Sequence, residues 1–167
     1  MRQQILAGIG VLGMVLTLGA CGESEEPAEG TMAEADGGAG GDVISQRQDL
    51  LEGMGDAFRT IRGQLEGDAD MAVIAASAET LNANAAQIID LFPEGTGMDS
   101  GADTEALATI WEDPEGFATA HARLMDASAA MLDAVATGDP AQVEAAVGPL
   151  GGACGNCHDS FRLDDED

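Results

Sequence analysis

Five residues close to the end of the chain, Cys154-Gly155-Asn156-Cys157-His158, hold its densest chemistry. Two thiols three positions apart, followed directly by an imidazole, suit the attachment of a c-type haem. The thiols add to the two vinyl groups on one edge of a porphyrin and become thioethers. The adjacent histidine is then directed at the iron from one face of the ring. Gly151, Gly152 and Gly155 flank the pair and present no side chain where backbone would approach the macrocycle. Cys154 and Cys157 are therefore read as attachment points for one covalent haem c, and His158 as a ligand of its iron.

Other chemistries of paired cysteines fit less well. A thioredoxin-like redox pair wants a βαβ setting, and no stretch of this chain alternates with period two. A structural zinc site needs a fourth ligand. The second histidine, His121, stands alone on a helical stretch and is expected to be exposed. A zinc deaminase would place His-x-Glu upstream, where this sequence has His121-Ala122-Arg123. Position adds a further constraint. Only nine residues follow His158 and none is methionine, so any sixth iron ligand must come from an earlier helix.

The third cysteine, Cys21, closes an N-terminal leader. Arg2 supplies a positive start, and Ile5 to Leu18 form an apolar run shorter than the roughly 20 residues that span a bilayer. Leu18-Gly19-Ala20-Cys21 resembles a bacterial lipobox, in which cleavage precedes a lipid-carrying cysteine. An ordinary secretory signal with an incidental cysteine is the alternative, and the chain is exported in both cases. The expected divisions are a signal peptide over 1–20, a lipidated Cys21 with a flexible acidic tether over 21–41, and a folded domain over 42–167. The tether has almost no large apolar residue with which to offset the entropy of ordering. The expected location is the periplasm, with a lipid anchor as the only membrane contact.

The formal charge is −25, from 31 acidic residues against 6 basic ones in a chain of 167. Every basic residue is an arginine. Such a surface repels nucleic acid and anionic headgroups, and favours basic partner proteins.

Four amphipathic runs must position the haem motif. The first steps through Ile44, Arg47, Leu51, Met54, Phe58, Ile61 and Leu65, and the second through Met71, Ile74, Ala78, Leu81, Ala85 and Ile88. The third opens at Asp113-Pro114, an N-cap with proline at the first helical position, and runs through Phe117, Leu124, Ser128, Met131 and Val135. The fourth repeats that opening at Asp139-Pro140 and places Val143, Val147, Leu150, Cys154, Cys157 and Phe161 on one stripe. Gly67-Asp68 and Gly138-Asp139 are tight turns that favour antiparallel neighbours, and a longer glycine-rich crossing runs from Pro93 to about Ile110. The prediction is an all-α, antiparallel up-down four-helix bundle with covalently bound haem. The interior is short of aromatics, with 4 Phe, 1 Trp and no Tyr, and a haem would fill volume that alanine does not.

A haem motif ending the last helix of such a bundle resembles the cytochromes c′, the class II c-type cytochromes. The likeness spans about Val43 to Arg162. Arg47-Gln48 followed by Leu51 and Met54 resembles the family's first helix, and Phe92-Pro93-Glu94-Gly95-Thr96 its Phe-Pro-x-Gly-Ser/Thr turn. Ile110-Trp111 with Asp113 resembles its Ile-Trp-x-Asp, and Cys154 through Arg162 its ending. The resemblance implies that Arg47 and Gln48 lie against the haem propionates, with Thr104 close to that edge. It implies that Leu51 covers the distal face and that Arg162 lies near His158 on the proximal side. An inward arginine at position 47 would also be costly without an anionic partner, and a propionate supplies one. The sequence departs from the family pattern at Glu105 and Ala108, where a basic residue and a proline are common, so the propionates lose a cation. Phe161 replaces the usual tyrosine, and the crossing is longer than usual.

Function divides on the sixth iron position. With Leu51 over the iron, the resemblance implies a protein that binds nitric oxide or a similar small diatomic gas. If the side chain of Met54 were the sixth ligand instead, the chain would be a low-spin electron carrier, although Met54 also reads as a core residue. A peroxidase is the weakest reading, because no distal acid–base pair is placed to cleave a peroxide, so no enzymatic activity is expected. Redox partner proteins would be basic, and a homodimer is left open.

Overall fold

The computed structural model describes residues 37–163. The leader, Cys21 and the tether up to residue 36 lie outside the described residues. Helix α1 spans Gly37–Leu65, α2 Met71–Ile88, the short α3 Thr109–Glu112, α4 Pro114–Ala136 and α5 Pro140–Phe161. No strand occurs among the described residues, only an isolated antiparallel bridge between Ala106 and Arg162. The four long helices are the four periodic runs, and α3 is one turn within the crossing. Helix α1 starts earlier than expected, so residues 37–41, read as tether, are helical. Extending an existing helix adds one hydrogen bond for each residue fixed, without a second nucleation cost.

Local signals account for the helix ends. Asp113 accepts from the Gly116 amide and Asp139 from the Ala141 amide, each with proline directly after it. Each cap stabilises by about 1 kcal/mol. Asp70 caps α2 in the same way, accepting from the amides of Ala72 and Val73. Gly138 ends the α4–α5 turn at φ 73°, a left-handed conformation that favours glycine. Helix α5 continues through Pro149, although an interior proline costs about 3 kcal/mol. Burial of Val143 and Leu150 on either side of it outweighs that cost.

The core follows the predicted stripes at most positions. Met54, Ala57 and Ile61 of α1 meet Ile74, Ala78, Leu81, Ala85 and Ile88 of α2, Met131 of α4, and Val143 and Leu150 of α5. Buried Ser128 of α4 accepts from Asn82 of α2 at 2.9 Å and donates to the Met125 carbonyl, so its hydroxyl is satisfied. Leu51 is the exception on α1. It is 39 % exposed, and its neighbour Leu50 packs against the core instead. Successive helical residues lie 100° apart, so at this level the inner stripe passes through position 50 and turns Leu51 away from α2.

A second cluster sits at one end of the bundle. Ala106, Ile110, Phe117, Ala120 and Phe161 form it, with Phe92, Trp111 and Cys157 packed against it. The Phe92, Phe117 and Phe161 rings stack edge to face in sequence, with centroids 4.9 and 5.2 Å apart. Phe161 is 8 % exposed here, a setting in which a bare ring needs no hydrogen-bond partner.

Candidate functional site

The last two turns of α5 carry Cys154, Cys157 and His158, all half-buried. The two cysteines are not joined to each other. Burial pushes both thiols above the ordinary value of 9.0, and at Cys157 the neighbouring Cys154 adds to the rise. Among the described residues no three His, Cys, Asp or Glu side chains gather to hold a metal ion. His121 is not exposed as expected. It is half-buried, with Nε2 2.8 Å from the Ala85 carbonyl, because its place on α4 faces the end of α2.

The crossing segment grips the end of α5. The Leu107 amide donates to the Phe161 carbonyl at 3.1 Å, and the Leu163 amide to the Glu105 carbonyl at 2.9 Å. The Thr109 hydroxyl donates to the Ser160 carbonyl at 2.7 Å. The same segment grips α1 through Arg47, which is 2 % exposed. Arg47 Nη1 donates to the Leu91 carbonyl and the Thr96 hydroxyl, each at 3.2 Å. Its Nη2 donates to the Thr96 carbonyl at 2.9 Å and the Thr104 hydroxyl at 2.8 Å. The guanidinium also lies 4.6 Å over the Phe92 ring. Gln48 donates to the Asp103 carbonyl at 2.9 Å from an exposed position. The early turns of α1 and the final turns of α5 thus share one end of the bundle, where the aromatic cluster lies.

That shared end sets the level of Leu51. Helices α1 and α5 run antiparallel and touch far less than the other neighbouring pairs. One approach is at Gly151, where an added Cβ would come within 3.2 Å of the Phe58 ring. Leu51 lies seven residues before Phe58, and His158 seven after Gly151. At 1.5 Å per residue both stand about 10 Å from that approach, in the same direction. An apolar, part-exposed side chain on α1 is therefore level with the imidazole of α5.

Arg162 follows His158 by one turn, and its amide donates to the His158 carbonyl at 3.0 Å. Its Nε lies 3.7 Å from a Glu105 carboxylate oxygen, and it is buried with no hydrogen-bond partner. Of the residues that the resemblance implies at a propionate edge, Arg47 meets Thr104 directly and Gln48 meets the neighbouring Asp103, while Arg162 lies one turn from His158. Neutral oxygens and a ring face hold the Arg47 guanidinium, and none of these partners offsets its charge. Its burial still pulls its pKa downward, with no carboxylate among the partners described. Thr96, Phe92 and Glu105 were missed as site residues. Thr96 and Phe92 lay within a motif already noted, but nothing in the sequence pairs them with Arg47. Trp111 holds the same segment, with Nε1 donating to the Phe92 carbonyl at 3.0 Å. It also covers Gly97 so closely that a Cβ there would meet the indole at 2.7 Å.

A profile of the Cytochrome C' family matches residues 42–162. The chain belongs to the cytochrome c′ family. Cytochrome c′ of Rhodopseudomonas palustris is 37 % identical over 123 residues, covering 72 % of this chain and 82 % of the relative. The crystal structure of cytochrome c′ from Rubrivivax gelatinosus is 34 % identical with a TM-score of 0.68, covering 74 % of this chain and 97 % of that one. A nitric oxide complex of a mutant cytochrome c prime from Alcaligenes xylosoxidans is 28 % identical with a TM-score of 0.67, covering 75 % of this chain and 97 % of that one. Cytochromes c′ are haem c proteins built as four-helix bundles, the architecture found here.

Proposed function

We propose that this member of the cytochrome c′ family binds nitric oxide, or a similar small neutral diatomic, at a haem c joined to Cys154 and Cys157 with His158 as iron ligand. The haem supplies an iron that can bond a gas on the face opposite the histidine. The chain's own residues fit that group. Two half-buried thiols lie on one helix, that of Cys157 packed against the aromatic cluster, and Arg47 is a buried cation whose described partners are neutral. Arg162 offers a buried Nε without a hydrogen-bond partner one turn from His158. In this reading Arg47, Gln48 and Thr104 lie at the propionate edge and Arg162 on the proximal side.

Leu51 is the observation that favours gas binding. It carries no lone pair, stands level with His158 on the facing helix, and is 39 % exposed in a chain whose other α1 core positions are covered. Such a side chain would exclude water from a haem held by Cys154 and Cys157, and it could move aside for a small ligand. Dioxygen fits less well, because the apolar side chain of Leu51 offers no hydrogen bond to its partial negative charge. Met54 is a poor sixth ligand. It is 9 % exposed and packed among Ile61, Ile74 and Leu81, so its thioether is held in the core.

Nitric oxide is the ligand in the structure from Alcaligenes xylosoxidans, which supports the choice of gas. Among the described residues no helix is long and apolar enough to cross a membrane. The proposed setting is the periplasm, with the lipid on Cys21 as anchor. Basic redox partners and a homodimer belong to the same proposal, with binding or electron transfer rather than catalysis as the role. The test is the visible spectrum of the ferrous protein before and after nitric oxide or carbon monoxide. A high-spin, five-coordinate resting spectrum that shifts on adding either gas is expected. A low-spin resting spectrum that becomes high-spin in Met54→Leu would overturn the reading in favour of an electron carrier.

A further inference from the structure

The carboxylate of Glu105 and the guanidinium of Arg162 face each other across the junction of the crossing segment and α5, 3.7 Å apart. The backbone holds the two residues close. The Leu163 amide bonds to the Glu105 carbonyl, Ala106 bridges Arg162, and the Leu107 amide bonds to the Phe161 carbonyl. Glu105 and Arg162 are thus diagonal neighbours across a fixed backbone junction, and their long side chains reach each other there. Arg162 is also tied to the histidine's own turn, through its amide and the His158 carbonyl. Among the described residues its Nε is buried without a hydrogen bond, and Glu105 is the acid that faces it.

From these contacts we infer that Glu105 is a positioning residue for the iron site. It holds the Arg162 guanidinium against the end of α5 beside His158 and offsets its positive charge there. The inference rests on the haem reading of Cys154 to His158. An acid close to the iron ligand favours the more positive, ferric state, so its removal raises the reduction potential. The side chains of Arg162 and Glu105 are 41 % and 49 % exposed, so the effect is modest and weakens with added salt.

The experiment uses haem-loaded protein and compares wild type with Glu105→Gln, Glu105→Asp, and Glu105→Gln combined with Arg162→Gln. Two quantities are read, the reduction potential at low and high salt and the solvent exchange of the Arg162 Nε–H by NMR. Glu105→Gln should raise the potential, with the rise shrinking in salt, and should speed Nε–H exchange several-fold. Glu105→Asp keeps the charge and should stay close to wild type, and Glu105→Ala takes the place of Glu105→Gln if that variant does not fold, with the same rise in potential and faster exchange expected. The double substitution removes both charges and should bring the potential back towards wild type. Unchanged potential and unchanged exchange in Glu105→Gln would overturn the inference while leaving the haem reading intact. A wild-type chain without covalent haem would instead overturn that reading, and Nε–H exchange would still show whether Glu105 holds Arg162.

Discussion

Arg47 Nη2 donates to the Thr104 hydroxyl at 2.8 Å, joining α1 to a residue 57 positions further along. The same guanidinium reaches Thr96 and the Leu91 carbonyl, so one side chain gathers the turn directly after α2 and two points of a crossing segment that has little regular structure of its own. That segment also holds the end of α5. A residue expected only at the edge of a cofactor is therefore part of the frame that places the cofactor's attachment points.

Arg47→Met should lose about 2–4 kcal/mol of stability, since four hydrogen bonds to a charged group are removed and their acceptors are left behind. Thr104→Val removes one acceptor and should lose about 1 kcal/mol. Denaturant unfolding checks both, as a lower midpoint with an unchanged slope.

The thiols predict a pH dependence. Burial raises the folded-state pKa of Cys154 and Cys157, so folding holds their protons more tightly. That stabilisation is fully present below the ordinary thiol value of 9.0 and is lost as pH rises through the higher folded value. Haem-free chain should therefore lose stability in that alkaline range. Haem-loaded protein should show no such slope and no thiol titratable from these positions, because both sulfurs are in thioethers. Its haem should survive denaturing electrophoresis, and Cys157→Ser should lose one thioether and most holoprotein. Purified protein containing zinc and no iron would rule the attachment out.

Leu51 and Met54 should behave differently although three residues apart. Leu51→Ala shortens the side chain level with His158 and should speed gas binding, measured by stopped flow, with little loss of stability from a part-exposed position. Met54→Leu conserves volume in a packed core and should cost less than about 1.5 kcal/mol without altering the visible spectrum.

Cys21 sets the membrane prediction. A lipidated product carries several acyl chains, and each buried CH₂ contributes about 0.8 kcal/mol, so it should fractionate with membranes. Cys21→Ser should not be lipidated. Wild-type protein that is wholly soluble with an unmodified N-terminus would show an ordinary signal peptide.

Sequence alone determined the four helices, their capped starts at Asp113 and Asp139, and the place of Cys154, Cys157 and His158 on the last turns of the final helix. These rest on local physics, namely helical periodicity and cap hydrogen bonds within one turn. Family resemblance implied Arg47, Gln48 and Thr104 at the propionate edge and Arg162 near His158. Tertiary structure decided what those residues touch. Leu51 turned out part-exposed, His121 half-buried against Ala85, and Arg47 bonded to neutral oxygens rather than waiting on an anion alone. Glu105 read as a lost cation and proved to be the partner of Arg162. The contacts of Arg47 and Glu105 depend on the path of the crossing segment, which has no periodicity to read. Its side-chain hydrogen bonds with α1 and α5 span from 49 to 57 positions, and only the packed bundle brings such distant groups within hydrogen-bond reach.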